Sequence, residues 1–342
     1  MRVIYTFDQL LVCGGVRVPF HHCKALMTRG IDAQIGYVSA HGYGEGIADW
    51  IRYYKVPIVD ISEVQNLEEG DVMVSCWYPM VEEMFDRMNI KCRKYHFIQG
   101  NDYLADVGED RKAMLDRLFA RTDYRFLAVS PWAASVVRQD VLVVPNGVDK
   151  NIFYYMRNKE RSPLRILLEG RYGDTIKRMP EAFEIAQELK RRYGVEVWYL
   201  NPDEKSGISW IDREINHPFT NDIAEAYLES DILIKTTKAD GWGLPHLEAM
   251  ACGCAVVTTN AGGNMSFCIH EKNSLVGELH ELVGLASRLI ENRELRERLL
   301  REGREVAREL SWARAGKILA WEFRGDNKEK PFTDSLAFQP PV

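Results

Sequence analysis

The sequence predicts an α/β protein made of two doubly wound, Rossmann-like domains. Three observations lead there. Short β-branched runs alternate with longer helical patterns, once before about residue 155 and again after about residue 163. Several strand runs, Val72-Met73-Val74 and Ile232-Leu233-Ile234 among them, show little polar–apolar alternation, which suits parallel strands covered on both faces. Between the two series lies Arg157-Asn158-Lys159-Glu160-Arg161-Ser162-Pro163, a charged stretch that ends in proline and reads as a linker. The expected division is 1–158, 159–318, and a helix and tail over 319–342 returning to the first domain. Ligands of such sheets bind beyond the carboxyl ends of the strands, so two of them predict a cleft between domains.

In chain order, the strands expected in the first half are Val3–Phe7, Ala33–Val38, Asp71–Trp77, Tyr95–Gln99, Phe126–Ser130 and Val141–Pro145. In the second half they are Arg165–Glu169, Glu196–Leu200, Asp231–Thr236 and Ala255–Thr259. A helix should follow Gly14-Gly15 and run to about Met27. Pro180 fits the first turn of another, which carries Phe183, Ala186 and Leu189 and stops at Gly194. Ser311 can cap a last helix with Trp312, Ala315 and Leu319. Residues 287–310 are dense in Arg and Glu, and Glu294–Arg298 and Glu297–Arg301 are spaced as i,i+4 ion pairs on a solvated face.

Composition narrows the function. The chain has 342 residues, 46% hydrophobic and 27% charged, which suits a folded protein of about two domains. Its 44 Lys and Arg against 50 Asp and Glu give a net charge of −6, which argues against nucleic acid as a partner. No apolar run reaches the ~20 residues of a membrane span. Residues 1–7 read as a first strand and not as a signal peptide, so a cytoplasmic location is expected. The seven cysteines are odd in number and scattered, as buried reduced thiols would be. Cys252-Gly253-Cys254 lacks zinc spacing, and no metal site is expected.

Four loops carry chemistry. Asp240-Gly241-Trp242-Gly243-Leu244-Pro245-His246-Leu247-Glu248 follows a buried strand and opens a helix that ends at Gly253. Its glycines let the backbone approach a ligand. The Gly243 and Leu244 N–H groups at a helix N-terminus offer an anion site. Asp240 and Glu248 offer acceptors for hydroxyls. Taken alone, the segment also reads as an ordinary turn with a capping Asp. Arg171 and Lys177 lie in a loop past the strand that ends in Leu167-Leu168, a planar fork and a point charge suited to a diphosphate. Cys13-Gly14-Gly15-Val16 follows the first strand and is neither the dinucleotide fingerprint nor a P-loop. Ala261-Gly262-Gly263-Asn264-Met265-Ser266 is a further glycine loop on the rim of Asp240.

Asp240–Glu248, with Ala249-Met250-Ala251-Cys252-Gly253 and Val256-Val257, resembles the E-G-F-G-L-P-x-L-E-A-M-A-x-G-x-P-V-V signature of glycosyltransferase family 4, retaining enzymes of the GT-B fold. Gly170-Arg171 with Lys177 is similar to that family's G-R…K element. Val144-Pro145-Asn146-Gly147-Val148-Asp149 with Phe153 is similar to its I-P-N-G-V-D…F stretch, and Val129-Ser130 and Gly14-Gly15 fall in family order. The resemblance implies a metal-independent hexosyltransferase with no cofactor, in surface polysaccharide, glycolipid or glycoconjugate synthesis. The donor would be a UDP-, GDP- or dTDP-linked sugar, and the acceptor a saccharide or lipid-linked hydroxyl.

The resemblance also implies roles. Arg171 and Lys177 would hold the donor diphosphate. Glu248 would take the ribose hydroxyls, and Asp240 the hydroxyls of the transferred sugar. Gly14, Gly15 and the Gly243–Leu244 amides would line the phosphate and sugar pocket. Gly241, Trp242 and Gln99 join Asp240 as substrate-binding candidates.

Three positions depart from the family. Asp240 replaces Glu, Gln99 stands where a His is frequent, and Ser266 replaces a Glu. Asp240 and Gln99 motivate a second reading, a sugar-nucleotide-binding subunit that has lost catalysis. A GT-B epimerase or phosphorylase is a third; the paired acidic signature argues against the epimerase, and dependence on free phosphate would favour the phosphorylase. Residues 87–94 are locally basic. They read as a solvated turn, or as a weak patch for an anionic membrane or a lipid-diphosphate acceptor. His96 reads as a buried histidine, and His246 as a lining or solvent-facing one. Acceptor specificity should lie around 42–44 and 101–108.

Overall fold

The structure is a computed structural model that describes residues 1–11, 13–38, 47–64, 66–86, 91–101, 103, 108–155 and 162–325. It divides into two compact units, one of Met1–Asn146 with the segment that starts at Trp312, the other of Gly147–Ser311.

The first unit contains β1 (Arg2–Phe7), α1 (Gly14–Met27), β2 (Asp32–Tyr37), α2 (Ile47–Tyr54), β3 (Ile58–Asp60), β4 (Val72–Ser75), β5 (Arg93–Ile98), α3 (Gly108–Phe119), β6 (Tyr124–Ala128), α4 (Pro131–Ala134) and β7 (Val141–Val143). Its strands form a 7-stranded sheet in the order β3-β2-β1-β4-β5-β6-β7. Every pairing is parallel. The central strands β1 and β4 are buried nearly throughout, which is why their sequences lack alternation. The strand order reverses beside β1, so the Gly14-Gly15 turn stands at the switch point.

The second unit contains β8 (Arg165–Glu169), α5 (Met179–Tyr193), β9 (Glu196–Asn201), β10 (Arg213–Asn216), α6 (Thr220–Leu228), β11 (Ile232–Lys235), α7 (Leu244–Cys252), β12 (Ala255–Thr258), β13 (Leu275–Val276), α8 (Leu282–Glu291) and α9 (Arg293–Glu309). The sheet has 6 strands in the order β10-β9-β8-β11-β12-β13, again all parallel. α5 ends where Gly194 takes the left-handed conformation at φ 65, as expected of a glycine C-cap. Its Phe183, Ala186 and Leu189 pack with Ile166, Val197 and Ile234 in the core.

The last helix, α10 (Trp312–Arg324), belongs to the first unit and packs along α1. The His21 ring lies flat on Trp312 with centroids 4.2 Å apart, and a Cβ added at Gly316 would come within 2.6 Å of the Ala25 Cβ. Tyr95 donates to the Glu322 carboxylate at 2.8 Å, which ties the helix to β5.

Several expectations need correction. The boundaries fall at 146/147 and 311/312, earlier than 158/159 and 318/319. Val148 donates to the Leu310 carbonyl at 3.2 Å, and the buried Phe153 faces Tyr227, so the chain joins the second unit before the charged stretch begins. Most of that stretch, 157–161, lies outside the described residues, as do 42–44, 87–90, 102, 104–107, 156 and the tail from 326. Strands β3, β10 and β13, at the sheet edges, escaped the sequence reading because each has four residues or fewer, too short to show a periodicity. On α9, Glu297 pairs with Arg293 at 2.7 Å instead of Arg301, while Arg298 reaches back to the Glu271 carbonyl. Five cysteines are buried thiols, but Cys13 is exposed and Cys76 half-buried.

Candidate functional site

In the second unit, three strands deliver their carboxyl-end loops to one place. At the end of β8 the chain turns at Gly170, whose φ of +147 and lack of room beside Met179 both exclude a side chain. Arg171 leaves that turn into solvent and pairs with Asp203 at 3.1 Å. Asp174 Oδ1 accepts the N–H groups of Ile176 at 2.8 Å and Lys177 at 3.3 Å, which curls the loop back toward the sheet. Lys177 then reaches Asp240 across the end of β11, with Nζ 3.0 Å from Oδ2.

Asp240 is held on its other oxygen too. Oδ1 accepts the N–H groups of Trp242 at 3.2 Å and Gly243 at 3.0 Å. Three of the carboxylate's roughly four acceptor positions are therefore filled from within the protein. This corrects part of the sequence reading. The Gly243 amide is spent on Asp240 and does not face outward. Pro245 has no N–H, and the Leu244 N–H is left without an acceptor among the described residues, at the N-terminus of α7. That amide is the one the helix dipole offers to an anion.

The glycine loop after β12 sits directly on the Asp240 loop. Asp240 donates to the Ala261 carbonyl at 2.8 Å and accepts from Gly263 at 2.9 Å. A Cβ at Gly263 would overlap the Gly241 carbonyl, so this approach requires glycine. Asn264, fully buried, accepts from Ala261 at 2.9 Å and donates to the Thr259 carbonyl at 2.9 Å. Trp242 is only 2% exposed, with its indole 5.1 Å from Phe267, so it supports the loop from inside. Glu248, one turn along α7, is 4% exposed.

The electrostatics follow from burial and pairing. Burial acts to raise the Asp240 pKa, but the Lys177 ammonium, with the hydrogen bonds, outweighs it and holds the carboxyl down at about 2. Burial acts to lower the Lys177 pKa, and the Asp240 charge reverses that to a net rise. His246 is fully buried, not solvent-facing. Burial lowers its pKa to about 3, so it is neutral at pH 7, with Nε2 2.8 Å from Thr258 Oγ1.

In the first unit, Gln99 follows β5 and donates from Nε2 to the Gly15 carbonyl at 2.8 Å, which joins two of the expected site residues. Gly14 begins the same helix. His96 is buried behind them, 3.3 Å from Ser75 Oγ, and burial lowers its pKa to about 3. Of the basic segment, Arg93 donates to the carbonyls of Gly70 and Phe323, and Lys94 pairs with Asp123 at 3.4 Å.

The sequence reading missed Lys235 and Thr236. Lys235 is 4% exposed and donates to the Glu169 carbonyl at 2.8 Å. Thr236 Oγ1 lies 3.0 Å from the Lys177 carbonyl and 2.8 Å from that of Arg178. The available signal was a lysine directly after Ile232-Leu233-Ile234, which reads equally well as the solvated end of a strand. Among the described residues, no group of three or more His, Cys, Asp or Glu could hold a metal, and no helix is long and apolar enough to cross a membrane.

Residues 214–306, which include the Asp240 loop, α7 and the 261–266 loop, match the family described as Glycosyl transferases group 1. An uncharacterized glycosyltransferase of Methanocaldococcus jannaschii is 24% identical over 184 residues, 52% of this chain. The match spans about half, 51%, of that relative's length. Among solved structures, HepE of Anabaena in complex with UDP-glucose aligns with a TM-score of 0.76 at 13% identity, covering 95% of this chain and 100% of HepE. Sucrose-phosphate synthase of Thermosynechococcus elongatus aligns at 0.73 with 14% identity, over 95% and 99%. A glycosyltransferase of Rickettsia africae aligns at 0.73 with 15% identity, over 95% and 99%. The two units have the GT-B fold. The Arg171–Lys177 loop precedes the matched segment and joins it through the Lys177–Asp240 pair.

Proposed function

We propose that this protein is a retaining glycosyltransferase. It moves a sugar from a nucleoside diphosphate donor to a hydroxyl of a saccharide or lipid-linked acceptor, in the cytoplasm and without a metal ion. The observation that carries the reading is the Lys177–Asp240 pair beside the free Leu244 amide, within the three strand-end loops. Lys177 and Arg171 supply the charge that a divalent ion would otherwise bring to a diphosphate, and the Leu244 N–H adds a donor at a helix N-terminus. As the bond between the anomeric carbon and the phosphate oxygen breaks, negative charge grows on the diphosphate, and fixed cations stabilise it there. The acceptor oxygen attacks on the face the diphosphate leaves, and its proton passes to the departing phosphate. Asp240 keeps Lys177 charged and in place; one remaining acceptor position is open to a sugar hydroxyl.

HepE is described in complexes with UDP-glucose and UDP, so a uridine donor is the first to try. Incubation with UDP-, GDP- and dTDP-sugars should release one nucleoside diphosphate, through transfer or slow donor hydrolysis, and NMR of the product should show the donor's anomeric configuration. An inverted product would refute retention. Donor binding with neither transfer nor hydrolysis would favour a binding subunit, the reading that the engaged Asp240 carboxylate also supports.

A further inference from the structure

Lys235 ends the central strand β11 inside the second unit, with 4% of its surface exposed. Its ammonium has one hydrogen bond, to the Glu169 carbonyl at 2.8 Å, and among the described residues no carboxylate lies within ion-pair distance. The nearest acids are committed elsewhere. Asp240 takes Lys177 and two amides, Asp174 takes two amides, and Glu169 accepts the Tyr227 hydroxyl at 2.5 Å. A buried ammonium without a counter-charge is costly, and proteins keep one chiefly where a ligand or reaction needs it.

Its position says which ligand. Lys235 fixes the carbonyl immediately before the Gly170 turn, where the loop with Arg171 and Lys177 begins. Thr236 fixes the carbonyls of Lys177 and Arg178, where that loop ends. Lys238 adds a backbone bond to Ile176 at 2.8 Å. The end of β11 thus grips both ends of the loop that bears the two exposed or half-exposed cations, with a third positive charge beneath it.

We propose that Lys235 is a positioning residue and the third positive charge of an anion site for the donor's diphosphate, and that the bound diphosphate supplies the counter-charge the protein lacks. The inference rests on the donor reading given above. Lys235 lies outside the motif elements that carried the family resemblance.

Calorimetric titration of the full chain distinguishes charge from scaffold. Wild type, Lys235→Met and Lys235→Gln are titrated with UDP, GDP, ADP and dTDP, and with the parent nucleoside of whichever binds. Both variants should lose about tenfold or more in nucleoside diphosphate affinity, equal to ~1.4 kcal/mol, while nucleoside affinity stays within about twofold. The melting temperature of Lys235→Gln should stay near that of wild type, while Lys235→Met also takes the donor from the Glu169 carbonyl. Lys235→Gln keeps a donor for the Glu169 carbonyl, so it serves if Lys235→Met does not fold. Unchanged diphosphate affinity, full rescue by glutamine, or equal losses for nucleoside and diphosphate would each overturn the proposal. If wild type binds none of the four nucleotides, the donor reading fails and this inference fails with it.

Discussion

Lys177 and Asp240 stand 63 residues apart in the chain and meet with Nζ 3.0 Å from Oδ2, neither side chain more than a third exposed. The pair joins the loop after β8 to the loop after β11. Asp240 also closes its own turn through the Trp242 and Gly243 amides. A glutamate there, the residue usual in the resembled family, would carry its carboxylate one carbon too far to keep both turn bonds and the Lys177 contact. Asp240→Glu should therefore fold less stably than wild type, by roughly 1–2 kcal/mol for lost charge-assisted hydrogen bonds. Urea denaturation measures it, and a variant as stable as wild type would show that the turn bonds carry no weight.

The same pair predicts a pH window. The Asp240 carboxyl is held at about 2 in the fold, below the usual 3.8 of an aspartate. A depressed carboxyl pKa stabilises the fold above the unfolded value and loses that contribution as pH falls through the folded one. The stability gap between wild type and Asp240→Asn should be flat from pH 7 to 5. It should shrink by about 2 kcal/mol between pH 4 and 2, as far as the variant stays folded. A gap that does not depend on pH would mean the carboxylate charge is not what matters.

Buried histidines act at milder pH. Burial lowers His22, His96 and His246 each from 6.5 to about 3. The unfolded chain takes up protons as pH falls below 6.5 while the fold resists them. Each histidine then removes up to about 1.4 kcal/mol of stability per pH unit until its folded pKa is reached. The denaturation midpoint should fall steeply between pH 6.5 and 4.5. A midpoint constant over that range would contradict the neutral, buried assignment.

Arg171 offers the opposite kind of test. Its side chain is 61% exposed, and its ion pair with Asp203 is of the surface type that contributes little to stability. Arg171→Ala should leave the melting temperature unchanged and lower nucleoside diphosphate affinity about tenfold, ~1.4 kcal/mol. Equal affinity in the variant would remove Arg171 from the site.

Gly263 should not tolerate alanine, because the added Cβ overlaps the Gly241 backbone and backbone cannot swing aside. Gly263→Ala should cost more than about 3 kcal/mol or abolish folding. Gly173→Ala, in open space on the Arg171 loop, should stay within about 0.5 kcal/mol. Similar melting temperatures for the two variants would refute the packing argument.

Much of this arrangement was legible in the sequence, for reasons that differ by residue. The central strands announced themselves because burial on both faces leaves continuous apolar runs such as Val72-Met73-Val74. Gly194 and Gly253 marked helix ends because only glycine takes the left-handed C-cap cheaply. The Asp240 segment stood out by its glycines and acids. Its internal wiring did not, since whether Gly243 offers its amide outward or to Asp240 depends on a side-chain rotamer that no spacing encodes. Lys235 was hidden for a related reason. A lysine after an apolar run normally marks where a strand meets water, and only the tertiary cover reveals the opposite. The edge strand β10, Arg213–Asn216, lacked the apolar pattern because its residues are only partly buried.

The central claim is that the second unit holds a nucleoside diphosphate at the Lys177–Asp240 corner without a metal ion. A thermal-shift titration of wild type and Lys177→Ala with UDP, GDP, ADP and dTDP, in chelator, addresses it most directly. One nucleotide should stabilise wild type, by roughly 2.7 kcal/mol at about 100 times its Kd, and should leave Lys177→Ala nearly unshifted. No shift of well-folded wild type with any of the four, or the same shift in the variant, would contradict the account.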